Sequence, residues 1–236
     1  QLNMLKLNEL IRRLLERSAR VVGGAVEMEF AVNLSRKKPA PARFGFLQLR
    51  PMRVFEQSVE VPAESMDGPA VLLSSEKVLG HGAHDDILDI VYLKPQAFDA
   101  AKTRTMATEL DQLNRRFLTE GRKYLLVGFG RWGSSDPWLG VPVTWSQISA
   151  AACIAAASLP KLHPDPSQGS HFFHNLIGFQ VSYLTVPHAA GRGIDFDWLD
   201  AQPAAFETDF LRHVRLHAPL QIRVDARRRR GVVTKS

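Results

Sequence analysis

The chain has 236 residues, of which 45% are apolar and 23% charged, enough for one large domain or two small ones with an ordinary core. No run approaches the ~18 consecutive apolar residues of a membrane span, and the first residues lack the charged, apolar and small-residue order of a signal peptide. A soluble cytoplasmic protein is expected, and the net charge of +6 is concentrated near its end, where residues 205–236 hold eight Lys or Arg against three Asp or Glu.

Residues 2–21 carry Leu5, Leu7, Leu10, Ile11, Leu14 and Leu15 at near-helical spacing until Gly23-Gly24 stops the pattern, which predicts an amphipathic helix. It begins at once, with neither leader nor start Met, and reads as the C-terminal part of a longer polypeptide. From Val26 to Met52 the chain reads as two strands joined by the polar loop LSRKKPAPA. In the first strand Val26, Met28, Phe30 and Val32 alternate with Glu27, Glu29, Ala31 and Asn33; in the second, Leu47 and Leu49 oppose Phe46, Gln48 and Arg50. Antiparallel pairing would set two carboxylates, an amide oxygen and a guanidinium side by side. Mg²⁺ takes hard oxygen donors, usually one or two carboxylates with phosphate oxygens and water, and an adjacent Arg can fork a phosphate oxygen. The alternative is a hairpin with solvated charges on its outer face.

Glu27-x-Glu29, followed by the return Phe46-Leu47-Gln48-Leu49-Arg50-Pro51, resembles the closing hairpin of the ATP-grasp nucleotide-binding domain in the phosphoenolpyruvate synthase and pyruvate phosphate dikinase family. The resemblance implies ATP and Mg²⁺ as cofactors, with Glu29 and Gln48 at the metal and the ATP phosphates, Glu27 in the preceding acidic position, where Asp is commoner, and Arg50 on phosphate. It covers about the first 52 residues. The residues that grip the rest of ATP would lie in an N-terminal remainder of the same polypeptide, the first implied partner.

Further on, PAVLLSS and DDILDIVYLKP read as strands, as does RVFEQSVEV, with PAESMDG as a turn. GHGAHDD, with His81, His84, Asp85 and Asp86, reads as a loop in preference to a metal site, because no matching distal pair of ligands is evident. Met106, Leu110, Leu113, Phe117 and Leu118 predict a helix within residues 97–120 that Gly121 stops. A buried strand, Tyr124 to Val127, then enters a loop holding Gly128, Gly130, Arg131, Gly133, Ser134, Ser135 and Asp136. Successive amides there could form an anion-binding nest completed by Arg131 and the two hydroxyls, or the loop could be a tight turn anchored by Trp132 and Trp138. Its order fits neither the dinucleotide fingerprint nor a Walker loop.

WSQISAAACIAAASLP is buried but of undetermined type, and its Cys153 reads as a small hydrophobe. After the turn DPSQG, Ser170 is a fair N-cap for one or two helical turns at 171–176, and 179–186 alternates as a strand. A phosphate on His171 in that first turn would be stabilised by free backbone N–H groups. Ser170-His171 is similar to the phosphohistidine motif of the same family, with Phe172-Phe173 where the family has a small pair. The resemblance implies His171 as phospho-acceptor; otherwise the helix presents one face to a core and one to solvent. The last segment reads as a short acidic-aromatic helix and two strands, with His213 and His217 on the strand surface. Arg227–Arg230, between PLQIRVD and GVVTK, reads as a hairpin turn; without interleaved aromatics it argues against nucleic-acid binding.

The expected fold class is α/β, or mixed α+β: the end of an ATP-grasp domain over residues 1–60, then a mixed sheet-and-helix domain over 61–236 that binds phosphate or carries the phosphoryl group. The expected function is part of an ATP- and Mg-dependent phosphotransferase with a pyruvate-like small-molecule acceptor. The alternative is a non-catalytic docking or regulatory domain that closes over an ATP site supplied elsewhere.

Overall fold

A computed structural model describes residues 7–33, 43–51, 59–134, 136–158, 171–187 and 193–235. It is mixed α+β and divides into two compact units, 1–56 and 57–236. Among the described residues no helix is long and apolar enough to cross a membrane.

The first unit is helix α1 (Leu7–Val22) followed by an antiparallel ribbon of β1 (Val26–Asn33) and β2 (Arg43–Pro51). Gly23 ends α1 in the left-handed region, and the Gly23 and Gly24 N–H groups both donate to the Ala19 carbonyl. No residue of α1 is buried, and β1 alternates half-buried with exposed positions. The ribbon's apolar stripe is thus only partly covered.

The second unit is built on a nine-stranded mixed sheet. Its centre is four parallel strands: β5 (Gly82–Leu93), β6 (Tyr124–Phe129), β9 (Ala151–Ala157) and β10 (Ser182–Val186). Every residue of β6, β9 and β10 is buried, as parallel strands covered on both faces require. Helix α2 (Thr103–Thr119) connects β5 to β6, and α3 (His171–Gly178) connects β9 to β10. Met106, Leu110, Leu113 and Phe117 of α2 recur at helical spacing and pack with Phe172, Phe173 and Leu176 of α3 in one core layer. Leu199 of α4 (Phe196–Ala201) joins the layer on the opposite face, and Tyr92 Oη donates to Asp200 at 2.5 Å. Cys153 lies wholly inside this second layer, and burial pushes its thiol far above the ordinary range, so it stays a protonated hydrophobe.

Antiparallel strands flank that centre. On one side β12 (Leu211–Asp225) pairs with β5, β13 (Arg230–Thr234) with β12, and β3 (Val71–Ser75) with β13, while the short β11 (Ala204–Glu207) also pairs with β12. On the other side β4 (Val78–Leu79) closes on β10. Of the Arg227–Arg230 run, Arg227 to Arg229 lie in the turn between β12 and β13, and Arg230 opens β13. The buried Asp225 carboxylate builds that turn by accepting from the N–H groups of Arg227 and Arg228, at 3.0 and 3.1 Å.

The structure departs from the sequence reading in particular places. GHGAHDD is no loop from Gly82 onward: the long β12 ladder opposes Val224 to Gly82 and Ile222 to His84, drawing the polar stretch into β5. The undetermined alanine segment is strand β9. The predicted strand RVFEQSVEV falls largely outside the described residues. His213 is only 6% exposed, because its Nε2 lies 2.8 Å from the Asp89 carboxylate and its ring packs edge-on against Phe117. His217 is exposed as expected.

Asp89 is itself 3% exposed and joins His213 on β12 to Arg122, which enters β6 and grips the carboxylate through Nε and Nη2. Burial alone would push the Asp89 carboxyl up, but the hydrogen bonds from His213 and Arg122 prevail and hold it below its ordinary range. A depressed native pKa means that this contribution to stability is complete above the ordinary carboxyl value of about 4 and is lost as pH falls through the lower native value. Asp89→Asn leaves Arg122 without its buried counter-charge and is expected to cost about 3 kcal/mol in urea unfolding at neutral pH. It is also expected to flatten the decline of stability in acid; an acid decline as steep as that of the parent chain would contradict this role.

Candidate functional site

The ribbon's register decides which side chains meet. Glu27 opposes Arg50 and Glu29 opposes Gln48, and residues directly opposite in an antiparallel pair share a face. Glu27, Glu29 and Gln48 are exposed and Arg50 half-buried. Arg50 Nη2 donates to Gln48 Oε1 at 2.8 Å, which turns the amide and guanidinium toward each other. The register shifts between Glu29 and Phe30, so Leu47 is the extra residue of a bulge. Phe46, expected beside Gln48 and Arg50, therefore falls opposite Phe30 instead, while Gln48 keeps the face of Glu29. Two carboxylates and an amide oxygen on one accessible face fit the hard-donor preference of Mg²⁺, which needs few protein ligands when phosphate completes its shell.

In the second unit the loop after β6 is tightly built. Gly130 and Gly133 have φ of 72°, and Arg131 and Trp132 form a short parallel pair, β7 (Arg131–Trp132), with β8 (Gly140–Val141). The Gly130 N–H donates to Ala157 at the end of β9, and the Gly133 N–H to Val141 of β8. Ser134 is buried, and its Oγ accepts from the Asp136 N–H at 3.2 Å. The two glycine amides expected to cradle an anion are therefore committed within the fold. Trp132 is 1% exposed and anchors the loop over Gly128, whereas Trp138 is 66% exposed. Ser135 and the side chain of His171 lie outside the described residues.

Beneath this loop, Tyr183 Oη and Trp132 Nε1 are buried without a hydrogen-bond partner among the described residues. Burial holds the Tyr183 phenol protonated well above its ordinary range, with the charge of Arg131 pulling the other way. Arg131 is half-buried and near this phenol. Phe172, one residue into α3, packs on Gly133, so the start of α3 meets the loop. Arg131, Gly133, Ser134 and the head of α3 thus lie on the carboxyl side of the parallel strands, where open α/β sheets place their ligands.

A cleft of about 510 Å³ opens at the other end of the same strands, and neither Arg131 nor Ser134 lines it. Among the described residues no three His, Cys, Asp or Glu side chains gather as a metal cluster. Sequence reasoning missed the Asp89, Arg122 and His213 assembly, whose members lie 33 and 124 residues from the aspartate. No signal local to the sequence joins them. No family model, curated protein or solved structure matches the chain.

The loop's close packing makes a direct prediction. A Cβ on Gly140 would overlap the Arg131 backbone, whereas one on Gly178, the last residue of α3, would meet nothing within 4 Å. Gly140→Ala is expected to destabilise by about 2 kcal/mol, and Gly178→Ala to be neutral or to stabilise by less than about 1 kcal/mol. Equal unfolding midpoints for the two variants would contradict the described β7–β8 pairing.

Proposed function

We propose that this chain is part of an ATP- and Mg-dependent phosphotransferase resembling phosphoenolpyruvate synthase and pyruvate phosphate dikinase, with its first unit as the end of an ATP-grasp domain. The observation that carries this reading is the ribbon register, which sets Glu29 opposite Gln48 and Glu27 opposite Arg50 on one accessible face. Glu29 and Gln48 would hold the metal, Glu27 would support them, and Arg50 would take a phosphate oxygen. When bound, magnesium supplies charge neutralisation on the phosphates, the main requirement of phosphoryl transfer besides positioning. The chain's own residues orient it. The cross-strand register sets the face from which the two acidic side chains project, and the Arg50–Gln48 hydrogen bond holds the guanidinium beside the amide oxygen.

Partial burial of the ribbon's apolar stripe supports a place in a larger nucleotide domain, with the rest of the polypeptide as partner. His171, at the head of α3, is the proposed phosphoryl acceptor, and Arg131, on the adjacent loop, the residue that meets the pyruvate-like substrate. A second reading, a docking or regulatory domain over an ATP site supplied elsewhere, draws on the commitment of the Gly130 and Gly133 amides within the fold.

Three measurements test these readings. In the longer polypeptide, Glu29→Gln is expected to lower ATP-dependent phosphorylation by about a hundredfold. The 236-residue chain alone is expected to show weak or no Mg-dependent ATP binding, and micromolar affinity there would contradict the half-site. Acid-labile phosphate is expected on the longer polypeptide after incubation with ATP and is expected to vanish in His171→Ala; undiminished labelling and turnover in that variant would end the carrier role.

A further inference from the structure

The cleft of about 510 Å³ lies at the amino ends of β6, β9 and β10, across the sheet from the loop after β6. It exists because its walls are small: Gly121 and Ala150 to Ala152 leave room that larger side chains would fill. Two backbone irregularities border it. Between Tyr124 and Leu125 the β6–β9 register skips Ala152, a bulge at the mouth. Gln180 sits at φ 59° just past the end of α3, where the Val181 N–H closes the helix on the Leu176 carbonyl. That is a position glycine usually fills and a strained one for a residue with a side chain. Bulges and left-handed non-glycine residues recur beside binding sites, and here both border one hollow.

The chemistry of the lining is uneven. Trp145 and Phe179 stack with centroids 5.3 Å apart and planes 7° from parallel, and Phe179 remains 64% exposed, offering an open aromatic face to the cleft. Arg122 also borders it, but Asp89 and Glu120 neutralise its guanidinium. His84 borders it too, and burial, opposed by the attraction of Asp86, lowers its pKa and favours the neutral ring. Lys123 is exposed with no carboxylate partner among the described residues, which leaves it as the cation for a ligand at this mouth.

We propose that this cleft binds a flat aromatic carboxylate, its ring extending the Trp145–Phe179 stack and its carboxylate meeting Lys123. A volume of this size with an aromatic wall and few polar groups is the usual make-up of a small-molecule site. The proposal does not rest on the nucleotide reading of the ribbon.

The test is isothermal titration of the 236-residue chain with indole-3-acetate, against indole alone and acetate alone. Indole-3-acetate is expected to bind with a Kd below about 1 mM, and each half-probe about tenfold more weakly. Phe179→Ala and Lys123→Ala are each expected to weaken it about fivefold or more, the lysine effect fading at high salt. Both side chains are exposed, so circular dichroism should be unchanged. Glu29→Gln, on the ribbon, should leave binding intact. Absence of binding at millimolar probe, affinity indifferent to both cleft substitutions, or loss of binding in Glu29→Gln would each overturn the proposal.

Discussion

Parallel sheets are covered on both faces, so the parallel quartet β5, β6, β9 and β10 dictates how the larger unit is arranged. One face needs α2 and α3; the other needs α4 and the turn of the antiparallel strands around it. The alanines of β9 are central to that arrangement. A strand of side chains this small lets Trp132 and the helices come close on one face and pack tightly on the other. Asn114 secures the helix layer from within: its Oδ1 accepts from the Ala150 N–H and Tyr124 Oη, and its Nδ2 donates to Ser146. A buried amide with each end satisfied fixes α2 against the start of β9, which a purely apolar contact would leave free to slide.

The ribbon of the first unit follows a different rule. It has no buried residue in its helix and only half-buried positions along its apolar stripe, so its packing cannot set which face carries the charges. Register does that instead. The extra residue at Leu47 keeps Gln48 across from Glu29; without it, the alternation that places Phe44 across from Val32 would turn Gln48 to the other face. One inserted residue is thus what allows an apolar stripe and a row of oxygen donors to coexist on opposite sides of so short a ribbon.

How much of this could be read in the sequence depends on range. Periodicities of 3.6 and 2 gave α1, α2, the two ribbon strands and the strands of the last segment, because those patterns are local and each element has one face to bury. The glycine after α2 and the basic turn after Asp225 were legible for the same reason. GHGAHDD failed because turn-forming residues were recruited into β5 by a partner strand about 140 residues away. His213 failed because a histidine in an alternating strand says nothing of Asp89, which stands two places along the neighbouring strand β5. In the candidate site, Glu27, Glu29, Gln48 and Arg50 were found by a spacing of two across a hairpin. The glycine loop was found as well, but its amides bond to strands that composition could not place.

The proposed role of the ribbon requires its oxygen donors to bind a metal-nucleotide complex in the proposed longer polypeptide. Manganese can replace magnesium in such a complex and broadens nearby amide resonances. The most direct measurement is therefore paramagnetic relaxation in the isotopically labelled longer polypeptide titrated with Mn-ATP. Selective broadening is expected at Glu27, Glu29, Gln48 and Arg50, which ATP without added manganese does not produce. Broadening centred elsewhere, with these four resonances unaffected, would contradict it.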